Sequence, residues 1–315
     1  MKRVAITGSS GYLGGCLIRR LAELEPEIKI LGLDIVPPQD HGPHDFLKVD
    51  MCSPELATAL KCFQPDTVVH LAFVVPPMHN RRKMRAINIG GSRNVMEAAA
   101  LAGAERLLVT SSATALGARP DNTVPMDDSS PARAGPQFQY AADKVELEAM
   151  LDQFAAEHPR MAVSCLRPCI VGGPHMDNYL RRLILGMPIM VLLDGVDSAI
   201  QLVHEDDVAA AVHLILARGG TGAYNLAPAD TVCFSEMAEL TGRWRISAPY
   251  WLGWFSAWLA WETRFPLHEY PPGFLGFVRY PWLVAANRLA GELGFNFRFS
   301  SRETFLGMLE KPGES

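Results

Sequence analysis

The amino-acid sequence predicts an α/β fold, a doubly wound parallel sheet followed by a smaller, mainly helical C-terminal lobe. Three observations carry this expectation. Short runs that are apolar throughout alternate with helix-length segments in the first half, a glycine-rich turn follows the first such run, and the composition changes after about residue 170. The chain of 315 residues is long enough for one large domain or two modest ones.

The apolar runs fall at 4–6, 28–33, 67–71, 107–109 and 162–166. Between them lie Ala-, Leu-, Glu- and Arg-rich stretches such as 13–24 and 88–102. Strands that are apolar on both faces belong to a parallel sheet covered by helices on each side, and such a sheet binds ligands at the carboxyl ends of its strands. Beyond residue 170, Gly and Pro punctuate more often, and all six Trp lie between 244 and 282. The expected division is a sheet domain over 1–170, to which 200–227 return, and a lobe over 171–315 that shapes the substrate pocket.

Composition narrows the function classes. Apolar residues make up 49% and charged residues 20% of the chain, within globular usage. The net charge of −5, from 29 basic and 34 acidic residues, lacks the basic surplus of a phosphate-backbone binder, so no nucleic-acid partner is expected. The six Cys are scattered without a CxxC pair, which reads as reduced thiols and a cytoplasmic protein. The apolar run after Met1 meets glycine too early for a signal peptide.

Thr7-Gly8-Ser9-Ser10-Gly11-Tyr12-Leu13-Gly14 follows the first strand and opens the first helix. Glycines there permit a tight turn and close approach of backbone to a pyrophosphate, which the N–H groups at the helix start then face. Asp34 ends the second run, 20 positions after Gly14. A carboxylate at that distance accepts hydrogen bonds from an adenosine ribose and repels a 2′-phosphate, so the expected cofactor is NAD, not NADP. The expectation is a Rossmann dinucleotide site using Gly8, Ser10, Gly11, Tyr12, Leu13, Gly14 and Asp34.

Tyr140 and Lys144 stand four apart at the start of a helical stretch, so phenol and ammonium share one face. A neighbouring cation favours the phenolate, which suits the phenol for acid–base work on an alcohol or carbonyl. Ser112 ends the β-rich run before Ala113 and is placed to hydrogen-bond the same substrate oxygen. The catalytic set expected from this pattern is Ser112, Tyr140 and Lys144.

With these landmarks the chain resembles the extended short-chain dehydrogenase/reductase superfamily, in its NAD-dependent epimerase/dehydratase branch, over roughly 2–227. The likeness also rests on Asp50-Met51, His70-Leu71-Ala72, Asn88, Leu166-Arg167-Pro168 and His204-Glu205-Asp206-Asp207-Val208. It implies that Asp50 and Met51 flank the adenine, and that Leu71 and Ala72 lie along the cofactor. It further implies that Lys144 holds the nicotinamide ribose, that Asn88 bends a helix, and that Arg167 and Pro168 precede backbone near the nicotinamide amide. A homodimer through helices near 81–102 and 140–158 follows from the same likeness. His204 with its acids reads as a helix start, not a metal site, and no metal is expected. His70, on a buried strand, reads as a core histidine.

Two departures bear on substrate. Sugar-nucleotide members place an Arg four residues before the His of this last motif, where this chain has Ile200, and a Tyr where this chain has Leu116. Arg181, Arg182 and Arg243 are the candidates to compensate. Residues 246–261 carry no charge, and Trp251, Trp254, Trp258 and Trp261 recur at helical spacing. The stretch is too short to span a bilayer and reads as lobe packing, a dimer contact, a lid or a peripheral membrane patch. The expected activity is an NAD(H)-dependent oxidoreductase interconverting a ketone and a secondary alcohol on a hydrophobic, lipid-like substrate. The alternatives are a sugar-nucleotide epimerase or dehydratase with tightly bound NAD, and a non-catalytic NAD-sensing regulator or assembly factor.

Overall fold

The computed structural model describes residues 1–38, 42–266 and 268–310; the last five residues of the expected lobe lie outside them. Seven strands form one sheet: β1 (Arg3–Thr7), β2 (Lys29–Asp34), β3 (Asp45–Lys48), β4 (Thr67–His70), β5 (Arg106–Thr110), β6 (Ala162–Pro168) and β7 (Gly222–Leu226). Their order is β7-β6-β5-β4-β1-β2-β3, and every pairing is parallel. Successive strands are therefore added to one side of β1 and then to the other, with the switch between β1 and β4, and a crevice opens outside their carboxyl ends.

The helices are α1 (Tyr12–Leu24), α2 (Glu55–Phe63), α3 (Arg81–Arg85), α4 (Gly91–Leu101), α5 (Gln139–Glu157), α6 (Tyr179–Gly186), α7 (Glu205–Arg218), α8 (Phe234–Leu240) and α9 (Tyr250–Glu262), with clear amphipathic spacing in α1, α2, α4 and α6. One apolar layer joins α1 and α7 to the sheet through Leu17, Leu21, Val212 and Ile215. The other joins α2, α4 and α5 through Leu56, Leu60, Val95 and Leu147. Both faces of the sheet are thus covered, as its apolar strands require.

Beyond β6 the chain mixes short strand pairs with its helices. Residues Ile189–Leu193 pair in parallel with Trp244–Ala248, and Leu202–His204 pair with Ile170–Gly172. The tryptophan stretch forms α9, but it is not packed inside the lobe: Ala257 is its one buried residue. Among the described residues no helix is long and apolar enough to cross a membrane.

Candidate functional site

The glycine turn is built by close backbone contact. Gly8 adopts φ +75°, and a Cβ there would lie 2.7 Å from Ala72 N, so β1 and the residues after β4 approach too closely for any side chain. A Cβ on Gly14 would fall 2.2 Å from Gly8 O, which seats α1 against the turn. Gly11 caps α1 without a side-chain acceptor, leaving the first N–H groups of the helix open to the crevice. A turn this tight, with uncapped donors above it, fits a pyrophosphate and therefore a dinucleotide.

Asp34, at the end of β2, holds the turn from the side: its Oδ2 accepts from Ser10 N at 3.1 Å and its Oδ1 from Val36 N at 3.2 Å. Ser10 Oγ donates to Val36 O at 2.6 Å. Asp50 is exposed and accepts from Cys52 N at 2.8 Å, while Met51 is buried against α4, whose Asn94 donates to its carbonyl at 2.7 Å. These residues follow β2 and β3, on the half of the sheet that would hold the adenosine. Leu71 N donates to Thr7 O at 3.1 Å, closing the crevice floor between β1 and β4.

On the other half lies a cavity of about 650 Å³. Its walls include Gly8, Gly11, Tyr12, Leu13, Gly14 and Leu71 from the crevice, together with Ser112, Tyr140, Lys144 and Pro168. Ser10, Asp34, Asp50, Met51 and Ala72 are outside those walls. The expected catalytic trio and the glycine turn thus share one space, although they come from β5, α5 and β1.

Local folding explains each placement. Ser112 lies two residues after β5 and caps a 3₁₀ turn, its Oγ accepting from Thr114 N at 3.2 Å. Tyr140, Lys144 and Glu148 occupy successive turns of one face of α5. Glu148 meets Arg167 in a buried pair, with Arg167 Nη2 at 2.7 Å from Glu148 Oε2. Arg167 Nη1 also donates to Asp128 O at 3.0 Å, and Ser111 donates to Glu148. Asn88 sits in a π-helical turn, Ala86–Gly90, where its Oδ1 accepts from Val74 N at 2.8 Å and its Nδ2 donates to Asp143 at 2.9 Å. The helix is indeed irregular at Asn88, which ties the loop after β4 to α5 next to Lys144.

The electrostatics differ from the simple expectation of a phenol acidified by its ammonium neighbour. Lys144 Nζ donates to Thr110 O at 2.8 Å and lies 3.4 Å from the Phe73 ring centroid, with the Tyr140 ring farther off at 5.6 Å. Burial brings the ammonium down to about 7, partly opposed by Cys165, Glu148 and Asp143. Burial pushes the Tyr140 phenol up to about 12, and the adjacent Ser112 hydroxyl pulls it in the other direction. Phe73, its ring nearly perpendicular to that of Tyr140 at 5.8 Å, adds to this burial, as does Phe138 at the same distance from Tyr140.

His70 is a core residue, its Nδ1 2.7 Å from Thr7 Oγ1 and its Nε2 2.8 Å from Ser92 Oγ; burial lowers it to about 3. The acids after His204 do not cap their own helix. Asp207 instead accepts from Arg298 N and Phe299 N, both at 3.1–3.2 Å, and Glu205 is buried against Tyr12 and His175. That Glu205 reaches the glycine loop carried no sequence signal, because 193 positions separate it from Tyr12. Among the described residues no cluster of His, Cys, Asp or Glu has the makings of a metal site.

Most of the remaining cavity wall is apolar, drawn from α6, the strand Ile189–Leu193, α8, α9 and residues 270–282. Lys144 and Asp177 are its two ionisable side chains besides tyrosines and Cys169. The three candidate arginines are engaged elsewhere. Arg181 donates to Met308 O at 2.9 Å, Arg182 pairs with Glu269 at 3.0 Å, and Arg243 donates to Ile184 O at 2.7 Å.

Comparison with known proteins agrees with this architecture. An uncharacterized protein of Mycobacterium tuberculosis is 25% identical over 314 residues, covering 96% of this chain and 82% of the relative. A UDP-glucose 4-epimerase of Mycolicibacterium smegmatis is 26% identical over 250 residues, covering 71% of this chain and 76% of that enzyme. The crystal structure of the Bordetella bronchiseptica enzyme WbmG in complex with NAD superposes with a TM-score of 0.73 at 23% identity, over 98% of this chain and 92% of that one. The family model described as "NAD dependent epimerase/dehydratase family" matches residues 4–227, which include the glycine turn, Asp34 and the Tyr140/Lys144 pair. The chain belongs to the NAD-dependent epimerase/dehydratase family.

Proposed function

We propose that this chain uses NAD to oxidise a secondary alcohol transiently, in an epimerase or dehydratase cycle that regenerates the cofactor, and that the alcohol belongs to a molecule with a largely apolar body. The observation that carries the chemistry is the convergence of Ser112, Tyr140 and Lys144 on the cavity that also receives the glycine turn. Bound NAD supplies the hydride acceptor. The Tyr140 phenolate takes the proton that the substrate hydroxyl loses, and Ser112 Oγ donates to the same oxygen as charge develops on it. Lys144 shares this face of α5, its Nζ 5.6 Å from the Tyr140 ring centroid, and the Ser112 hydroxyl is the neighbour that offsets part of the burial keeping the phenol protonated. The glycine turn and the open N–H groups of α1 hold the pyrophosphate, and Asp34 is placed for the adenosine ribose.

The relatives support the epimerase or dehydratase cycle better than the expected net exchange of ketone and alcohol. The second reading, an oxidoreductase that releases NADH after oxidising a lipid-like alcohol, is favoured by the cavity. A nucleoside diphosphate needs cations near its phosphates, and none of Arg181, Arg182 and Arg243 lines the cavity. The regulator reading leaves the convergence of Tyr140 and Ser112 without a use. A homodimer through α4 and α5 and a cytoplasmic site of action belong to the same proposal, on the family resemblance alone.

The deciding experiment is release and assay of the nucleotide that co-purifies with the protein, followed by turnover on paired panels of nucleotide sugars and apolar secondary alcohols. Retained NAD, product isomerisation and no net NADH absorbance support the cycle. Stoichiometric NADH from an apolar alcohol establishes the second reading instead, and NAD binding with no turnover on either panel refutes both.

A further inference from the structure

The cavity opens beside a surface that soluble proteins rarely leave bare. Ser256 of α9 and Pro76 are exposed and line the cavity, as do Gly11, Asp177, Met187 and Ile189, so one of its mouths borders the tryptophan helix and the segment that leads into α3. Around that mouth α9 presents Trp251 at 68% exposure, Leu252, Trp254, Phe255, Trp258 and Leu259, all exposed. Exposed apolar patches of this kind mark an interaction surface.

The charges beside the patch indicate which partner. His79 stacks on Trp261 at a centroid distance of 3.9 Å, which fixes the start of α3 against the end of α9. Residues 76–85 contain Arg81, Arg82, Lys83 and Arg85 and no acid, and Arg264 follows α9. Arg81 donates to Gln139 at 2.8 Å and Arg85 pairs with Glu146. Arg82, Lys83 and Arg264 are exposed and have no acidic partner among the described residues. The one acid in 246–264 is Glu262.

We propose that α9 lies in the surface plane of an anionic lipid bilayer, with its tryptophans in the interface and the cations of α3 and Arg264 against the headgroups. With 13 residues the helix is too short to span a bilayer; Gly253 and Ala257 seat it on the protein and most of its remaining apolar side chains face outward, so it meets a bilayer lying along its surface. Tryptophan favours this interface because its ring is apolar and its N–H remains hydrated. The mouth then faces the membrane, and an apolar substrate passes from lipid to cavity without crossing water. That last step rests on the apolar-substrate reading; the docking rests on the surface alone.

The test is flotation of the full chain, loaded with NAD, on phosphatidylcholine vesicles with and without about 30% phosphatidylglycerol. Binding should require the anionic lipid, weaken with salt and shift tryptophan emission to the blue. Joint substitution W251E and W258E should abolish it, while joint reversal R82E, K83E and R264E should weaken it by about fivefold per charge with the fold intact by circular dichroism. Failure of the wild type to float on either vesicle overturns the proposal. So does a dimer in sedimentation that W251E breaks, which would assign the patch to a second copy. Floating protein that turns over a nucleotide sugar but no apolar alcohol leaves the docking standing and removes the substrate reading alone.

Discussion

Lys144 and Phe73 meet face-on: the ammonium lies 3.4 Å from the ring centroid while donating to the Thr110 carbonyl. An ammonium over an aromatic face is attracted by the ring quadrupole, but the same ring excludes water and so penalises the charge. Burial is the larger effect here, since the group falls to about 7 from its ordinary 10.5. Between those values the native chain binds fewer protons at this site than the unfolded chain, so its contribution to stability rises with pH across that window. Phe73→Ala should admit water, move Lys144 back upward and flatten that rise. Chemical denaturation at a series of pH values checks it, and an unchanged slope would show that Phe73 does not control the ammonium.

Tyr140→Phe removes the one phenol proposed for proton transfer while keeping the ring against Phe73 and Phe138. Turnover should fall by about 10²–10⁴-fold, the usual worth of a general base, with NAD affinity nearly unchanged. Ser112→Ala should lower kcat with a smaller effect. Titration of NAD by calorimetry beside steady-state assays separates binding from chemistry, and near-normal turnover in the Tyr140 variant would remove it from the mechanism.

The parts of this molecule that were legible in the sequence are those set by short-range pattern. The strands β1, β2, β4, β5 and β6 are each centred on a short apolar run, and the glycine turn is recognisable because strand and helix flank it. β3 was not legible, because Asp45–Lys48 is an edge strand with mostly exposed side chains and has no apolar run to find. β7 was hidden for a different reason: Gly222 opens it, and its burial comes from pairing with β6. Contacts between distant residues left no trace either. The ring of Phe73 over Lys144 and the carboxylate of Glu205 beside Tyr12 depend on the packed fold. For α9, hydrophobicity on every face could not distinguish a buried helix from an exposed one.

The proposed site gives Asp34 the choice between NAD and NADP. Its carboxylate already accepts from Ser10 N, so Asp34→Asn retains an acceptor for the turn and removes the charge. A charge-assisted hydrogen bond contributes about 1.5–3 kcal/mol, so NAD affinity should fall about tenfold to a hundredfold. NADP affinity should hold or improve, because its 2′-phosphate no longer meets a carboxylate. Paired titrations with both dinucleotides give the ratio, and an unaltered ratio would show that Asp34 does not face the ribose.

The pair of Arg167 and Glu148 joins the helix bearing Tyr140 and Lys144 to the strand that ends in Pro168. Both side chains are under a tenth exposed, and Arg167 reaches Asp128, which itself accepts from Asn225 N at 2.6 Å and Arg288 N at 3.0 Å. Removing one partner leaves a buried charge uncompensated, so Arg167→Met should cost about 3–5 kcal/mol by urea denaturation. The double substitution R167M with E148M removes both charges and should recover most of that stability. Activity should not recover with it, because the double variant no longer anchors α5 through charged hydrogen bonds to β6 and Ser111. A double variant that regains both stability and turnover would show that packing alone sets the position of Tyr140.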